Sequence, residues 1–461
     1  MTEKRPKKYL EEYFLQIVKV KHMGERASVE KTNIMKVSVI MPSLNVVGFI
    51  DDALESVMNQ TLRDIEIICI DAGSTDGTYE KIEVAMKNDP RIMLLKSPLK
   101  SYGYQVNMGL DVSRGEYIAI LETDDYVHSD MYEELYSVAS TEKLDYVKCN
   151  YDTYSFDDKG EKTFSGRKIS ENTNLYEKVF VPSDYSETAF DDWYLWNGIY
   201  RSSFLKENNI RFSESRGAAF QDIGFLHKTT SRARASKYVN KSLYRYCVGR
   251  ADASSKSDKT LRFIRSEYGS LLNDIGDFGS EKEWKLLYGR MAKSFARACM
   301  DCSDEMLHDA EMAMIIRWFQ IRLLEAENKG FVSADVLPQG LRETYRHLIN
   351  PAEGYLAFRK NRVYEISSFL GKDHPIIVFG CGTYGKEANN FLRNIGYKIR
   401  FFMDNSEKLW GTMIEGVSVA SPQMIAKMTD DTRYIVANEK YSNEIKEQLK
   451  SHVDENRIMI F

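Results

Sequence analysis

The apolar run Tyr117-Ile118-Ala119-Ile120-Leu121 gives way to four residues that carry three carboxylates, Glu122-Thr123-Asp124-Asp125. Three carboxylates so close together repel one another unless positive charge sits among them. A divalent cation that also holds a diphosphate meets that need, because hard cations take carboxylate and phosphate oxygens. Taken alone, such a cluster reads first as an acidic surface loop. A second polar segment, Asp71-Ala72-Gly73-Ser74-Thr75-Asp76-Gly77-Thr78, follows the apolar run Ile65–Ile70. Its glycines permit close backbone approach, and a helix starting there offers free N–H groups to a phosphate. Asp71 at the strand tip is placed to accept from a base N–H or a ribose hydroxyl, while Thr75 or Asp76 caps the helix. A third segment, Gly380-Cys381-Gly382-Thr383-Tyr384-Gly385 with Asp404 further on, has the spacing of a dinucleotide fingerprint.

The elements that must carry these residues are legible from periodicity. From 36 to about 248, short β-rich runs alternate with helical segments: 37–41, 65–70, 92–95 and 117–121 as strands, 50–58, 77–86 and 105–112 as helices. Such alternation predicts βαβ units, hence a mostly parallel sheet flanked by helices. In sheets of that kind ligands sit beyond the carboxyl ends of the strands. Pro42-Ser43, Asp71-Ala72-Gly73 and Glu122–Asp125 all fall at such ends, which favours a shared ligand edge over an isolated acidic loop. Helical spacing dominates between 258 and 372, and a small α/β pattern resumes from 373 to 461. The expected division is therefore an N-terminal helical extension (1–35), an α/β domain (36–257), a helical connector (258–372) and a Rossmann-like domain (373–461).

Composition narrows the function classes. With 461 residues, 43% hydrophobic and 28% charged, the chain is long enough for two to four ordinary globular domains. A net charge of −5 gives no general electrostatic attraction to nucleic acid. The six cysteines are scattered, and the single C-x-x-C pair, Cys299 and Cys302, has no second pair to complete a zinc site. Buried thiols are expected. No apolar run is long enough to span a bilayer, and the N-terminus lacks the apolar core of a signal peptide, so a cytoplasmic protein is expected. Lys4, Arg5, Lys7 and Lys8 precede spaced apolar pairs from Tyr9 to Val18. That segment suits a helix lying on an anionic membrane, or one packed on its own domain or on a second subunit.

Three segments, Val37–Asn45, Ile70–Thr78 and Gly115–Asp125, resemble family 2 glycosyltransferases of the GT-A fold. Further segments match in order: Trp196-Asn197-Gly198-Ile199-Tyr200-Arg201, Phe220-Gln221-Asp222-Ile223-Gly224-Phe225, and Tyr244-Arg245-Tyr246 with Arg250 to Ser254. The similarity covers a little under half of the chain. It implies inverting sugar transfer from a nucleotide-diphosphate donor, foremost a UDP-sugar, with Mn2+ or Mg2+ as cofactor and a saccharide or lipid-linked saccharide as acceptor. By that match Pro42, Ser43, Asn45, Asp71 and Gly73 border the nucleotide, and Asp124 and Asp125 face ribose, metal and diphosphate. Asp125 is the first choice for direct metal contact. Asp222 is the matching general base, and its competing reading is a helix cap. Trp196 either stacks a sugar ring or belongs to the core. Three positions depart from the pattern: Ala72 and Glu122 stand where Asp is usual, and Gln221 where Glu is usual. The aspartates matched to metal and base remain, so activity is expected.

Arg317-Trp318 is similar to part of a processive-synthase motif, but the Gln of that motif is absent, so single sugar addition is expected. In the C-terminal region Gly380, Gly382, Gly385 and Asp404 form a candidate second nucleotide site, as in an NAD-dependent sugar-modifying enzyme. Fewer than ninety residues are too short for two mononucleotide halves, so an interaction or scaffolding role is the competing expectation. The helical region and tail are candidate oligomerisation or docking elements.

Overall fold

A computed structural model describes residues 35–461 apart from 157–159, 186–191, 216, 218, 249–259, 277–278, 308, 351–354, 372–373, 429–430 and 439–440. The basic N-terminal segment and the Arg250 to Ser254 part of the last motif lie outside the described residues. The chain forms two compact units. One holds the described residues within 1–257 and 266–287, the other those within 258–265 and 288–461.

The first unit is built on one sheet of nine strands. Four make its parallel half: β1 (Val37–Ser43), β2 (Ile65–Asp71), β3 (Ile92–Lys96) and β4 (Tyr117–Ile120). β1 and β2 are buried at every residue, as apolar strands of a sheet covered on both faces must be. Helix Ile50–Met58 turns Ile50, Ala53, Leu54 and Val57 inward at one-face spacing. The rest of the sheet comprises β5 (Tyr126–Val127), β6 (Tyr146–Phe156), β7 (Lys162–Arg167), β8 (Gly198–Arg201) and β9 (Ser236–Cys247). The order is β3-β2-β1-β4-β8-β6-β9-β5, with β7 paired to β6. Only β6 and β9 pair in parallel here, whereas β4–β8, β8–β6, β6–β7 and β9–β5 are antiparallel. The mostly parallel expectation thus describes the first four strands, and the sheet as a whole is mixed.

Buried polar side chains clamp the sheet away from its ligand edge. The Glu66 carboxylate accepts from the Ser38 hydroxyl at 2.6 Å and from the Arg114 backbone and guanidinium at 2.6–2.9 Å, which ties β1, β2 and the start of β4 together. Lys148 of β6 and Asp192 form an ion pair at 2.5 Å with side chains only 1% and 2% exposed. Asp192 also accepts from the Tyr238 hydroxyl of β9 at 3.1 Å, and so anchors the chain just ahead of Trp196.

The second unit combines helices, among them Ala310–Asn328, Gln339–Ile349 and Tyr355–Leu370, with a six-stranded sheet. Its strands are β10 (Ile376–Phe379), β11 (Phe401–Met403), β12 (Met413–Ile414), β13 (Val417–Ala420), β14 (Arg433–Val436) and β15 (Ile458–Ile460). All neighbours pair in parallel except β12 with β13. All six cysteines of the chain are free and buried. Among the described residues no helix is long and apolar enough to cross a membrane.

Candidate active site

The loops that leave β1 and β2 are stitched together atom by atom. The Asn45 N–H donates to Ser74 Oγ at 2.9 Å, and the Asn45 side-chain oxygen accepts from the Thr75 N–H at 2.9 Å. The Val46 N–H donates to Thr78 Oγ1 and the Val47 N–H to Asp76 Oδ2, at 2.8 and 3.0 Å. Asp76 also accepts from the backbone N–H and hydroxyl of Thr78, which is the expected helix-start role. Asn45 has a φ of 54° and Gly73 of 82°, so the first loop bends through left-handed backbone beside the second. Asp71, expected to face a ligand, is buried and turns back on its own loop. It accepts from the N–H groups of Gly73 and Ser74 at 2.9 and 3.0 Å and from the Ser74 hydroxyl at 2.5 Å. In this structure the Asp71 carboxylate shapes the loop that follows β2. Gln105 donates to the carbonyls of Ser43 and Ile70, and Thr123 donates to that of Pro42. These bonds pin the strand ends.

Burial alternates through the acidic cluster: Thr123 and Asp125 are buried, Glu122 and Asp124 partly open. Asp125, the first choice for direct metal contact, spends both oxygens inside the protein. Oδ1 accepts from the Cys247 N–H at 2.7 Å and Oδ2 from the Tyr244 hydroxyl at 2.8 Å, both on β9. Burial first, and the charge of Asp124 next, raise its pKa well above the usual carboxylate range. Glu122 accepts from the Tyr102 hydroxyl at 2.5 Å. Burial, then the charges of Asp124 and Asp222, push Glu122 up to about 8 against the pull of that hydrogen bond. Such a cluster is electrostatically short of a cation. Among the described residues no three His, Cys, Asp or Glu side chains are grouped to ligate a metal by themselves. The donor set therefore fits an ion shared between Asp124, with Glu122 beside it, and oxygens brought by a ligand.

Asp222 opens the helix Asp222–Arg232. Burial foremost, and the charge of Asp222 as a lesser cause, raise the pKa values of Tyr102, Glu122 and Glu267, so the expected base and the acidic cluster share one electrostatic neighbourhood. Two residues ahead, Phe220 has a φ of 65°, a left-handed conformation costly for an aromatic residue and common at functional sites. Trp196 is 6% exposed and lies in an aromatic stack, with ring centroids 4.1 Å from Tyr244, 4.7 Å from Tyr194 and 5.0 Å from Tyr246. Of its two expected roles, this packing matches the core one. Through Tyr244 it also supports the hydrogen bond to Asp125.

In the second unit the fingerprint glycines differ in surroundings. A Cβ on Gly385 would lie 2.0 Å from the Gly380 carbonyl oxygen, and one on Gly380 2.4 Å from that of Ala437. Gly382 has open space. Asp404 turns onto the loop, accepting from the Cys381 N–H at 3.2 Å and the Ser406 N–H at 2.9 Å. A carboxylate already occupies one N–H that a pyrophosphate on this loop would want.

Nothing in the sequence marks Tyr102, Gln105 or Glu267 as part of the site, and Tyr244 stands out only as part of a matched segment, without its bond to Asp125. Their partners lie 20 to 119 residues away, and no local spacing announces such pairs.

A half-parallel, half-mixed sheet with interlocked loops, paired carboxylates and a further acid on one ligand-binding neighbourhood defines a GT-A glycosyltransferase. Residues 38–200 match the model of glycosyl transferase family 2, and residues 372–459 that of the C2185-like N-terminal family. The glycosyltransferase YibD of Escherichia coli is 30% identical over 237 residues, which is 50% of this chain and 67% of that protein. A Campylobacter jejuni GalNAc(5)-diNAcBac-PP-undecaprenol beta-1,3-glucosyltransferase is 25% identical over 57% of this chain and 83% of its own. Among solved structures, Staphylococcus aureus TarS 1-349 in complex with UDP-GlcNAc shares the fold, with a TM-score of 0.52, 18% identity, and coverage of 72% of this chain and 91% of that one. The chain belongs to the family 2 glycosyltransferases.

Proposed function

We propose that this enzyme transfers a sugar from a nucleotide-diphosphate donor, foremost a UDP-sugar, to a hydroxyl of a polysaccharide or glycoconjugate acceptor, with inversion. The observation that carries the reading is the shared neighbourhood of Asp222 and the Glu122–Asp124 pair, beside loops cross-linked by Asn45 and Thr75. The loop around Pro42, Ser43, Asn45 and Gly73 borders base and ribose. Asp124, with Glu122 alongside, would hold Mn2+ or Mg2+, and Asp125 braces the cluster through Tyr244 and Cys247. When bound, the ion stabilises charge on the departing diphosphate. Asp222 takes the acceptor hydroxyl's proton as that oxygen bonds to the anomeric carbon and the carbon–oxygen bond to the diphosphate breaks. One displacement inverts the configuration. The UDP-GlcNAc complex of TarS supports the donor class, and the name of the Campylobacter relative supports a lipid-linked saccharide as acceptor. Such an acceptor would place the work in the cytoplasm at the inner face of the membrane.

The test is UDP release from a panel of UDP-sugars with and without Mn2+ or Mg2+, for wild type and Asp222→Asn. Metal-dependent release by wild type that falls at least about a hundredfold in the variant, with donor affinity retained, is expected for loss of a general base. Equal rates for the two proteins would remove Asp222 from this role.

A further inference from the structure

Asp222 sits at the end of a buried polar chain that begins on the helix Thr260–Ile275. Gln221 is 1% exposed, and its side chain bridges two segments. Its oxygen accepts from the Gly103 N–H at 2.6 Å, and its amide nitrogen donates to the Ser215 carbonyl and, at 2.8 Å, to the Ser215 hydroxyl. That hydroxyl in turn donates to Glu267 Oε1 at 2.9 Å, as does the Ser213 hydroxyl at 3.2 Å. Glu267 is 3% exposed, in the part of the helix that belongs to the first unit. The segment carrying the serines is also laced to the loop before helix Tyr102–Val112. There the Tyr102 N–H donates to the Gly217 carbonyl at 2.9 Å and the Gly217 N–H to the Lys100 carbonyl at 3.0 Å. The chain runs between two functional groups: Tyr102, which holds Glu122, and Asp222, which follows the strained Phe220.

A buried carboxyl is costly unless its hydrogen bonds return the cost, and a network of this kind fixes one geometry. Among the described residues the hydrogen-bonding partners of Glu267 are Ser213 and Ser215, on the segment that leads to Asp222. We infer that Glu267 is a positioning residue for sugar transfer: through Ser215 and Gln221 it fixes the backbone that presents Asp222 to the acceptor. It supplies from a distant helix the carboxyl that Gln221 lacks beside the base. The inference rests on the reading of Asp222 as base.

The experiment compares metal-dependent UDP-sugar hydrolysis, with water as acceptor and kcat followed against pH, in wild type, Asp222→Asn, Glu267→Gln and Ser215→Ala. Misplacing a base by a fraction of an ångström lowers kcat by about ten- to a hundredfold while donor KM stays within about twofold. Glu267→Gln and Ser215→Ala are expected to show that split. Simple loss of stability would lower Tm and the amount of active enzyme without changing the pH profile of kcat, whereas a displaced base shifts that profile. Wild-type kcat in both Glu267→Gln and Ser215→Ala, with Asp222→Asn inactive, would overturn the positioning role and leave the base intact. Wild-type rates in Asp222→Asn would overturn the base reading and this inference with it.

Discussion

Replacing Asp125 by Asn separates a carboxylate that braces the site from one that binds metal. Its two oxygens accept from the Cys247 N–H and the Tyr244 hydroxyl at 2.7 and 2.8 Å, and the residue is 1% exposed. In Asn one oxygen can still accept from Cys247, now as a neutral acceptor. The amide nitrogen then faces the Tyr244 hydroxyl, whose proton loses its partner. Hydrogen bonds to a charged group contribute about 1.5–3 kcal/mol each, so one lost and one weakened cost a few kcal/mol. Part is offset, because the variant also removes a buried charge that Asp124 repels. A net loss of about 1–3 kcal/mol remains, and at about 2–4 °C per kcal/mol for a domain of this size Tm falls by roughly 2–12 °C. Differential scanning calorimetry measures the fall, and Mn2+ titration in the presence of UDP measures the other arm. Asp125→Asn should bind Mn2+–UDP within about threefold of wild type, a difference of under 1 kcal/mol. An unchanged Tm together with lost Mn2+ binding would refute the bracing role and restore Asp125 as the direct ligand.

Removing Lys148 takes the cation away from a carboxylate that is only 2% exposed. Lys148→Met should therefore cost about 3–5 kcal/mol in urea unfolding, and a loss under about 1 kcal/mol would contradict the account. Stability should also depend on pH through Glu122, whose pKa is pushed up from 4.5 to about 8, chiefly by burial. A carboxyl raised on folding contributes stability that is fully present below 4.5 and lost as pH rises through about 8. In EDTA, Tm should fall with pH across that window more steeply in wild type than in Glu122→Gln, and Mn2+ with UDP should flatten the difference. Identical slopes in EDTA would show that Glu122 is not strained by its neighbours.

The parallel half of the first sheet was legible because each strand is a short apolar run ended by Gly, Pro or acidic residues, and each helix shows one-face spacing. The mixed half was less so. β6 and β9 pair across about 90 residues, and neither carries a signal of its partner in its own sequence. The acidic cluster was legible as chemistry but not in its division of labour. Alternating burial of Glu122, Thr123, Asp124 and Asp125 depends on where Tyr102 and Tyr244 arrive from, and that is tertiary information. Asp71 shows the same limit. Its type and place suggested a ligand contact, while the fold uses it to shape the loop. Glu267 lies in a region that read as a plain helical connector, since helical periodicity reports which face is buried and not which polar group is wanted there.

The most direct measurement is a crystal structure with UDP and Mn2+, the ion placed by its anomalous signal. The account predicts Mn2+ between Asp124 and the diphosphate, with Glu122 adjacent, uridine against the Asn45–Gly73 loops, and the Tyr244 and Cys247 bonds to Asp125 intact. An ion bound directly by Asp125, or UDP bound away from this edge, would contradict it.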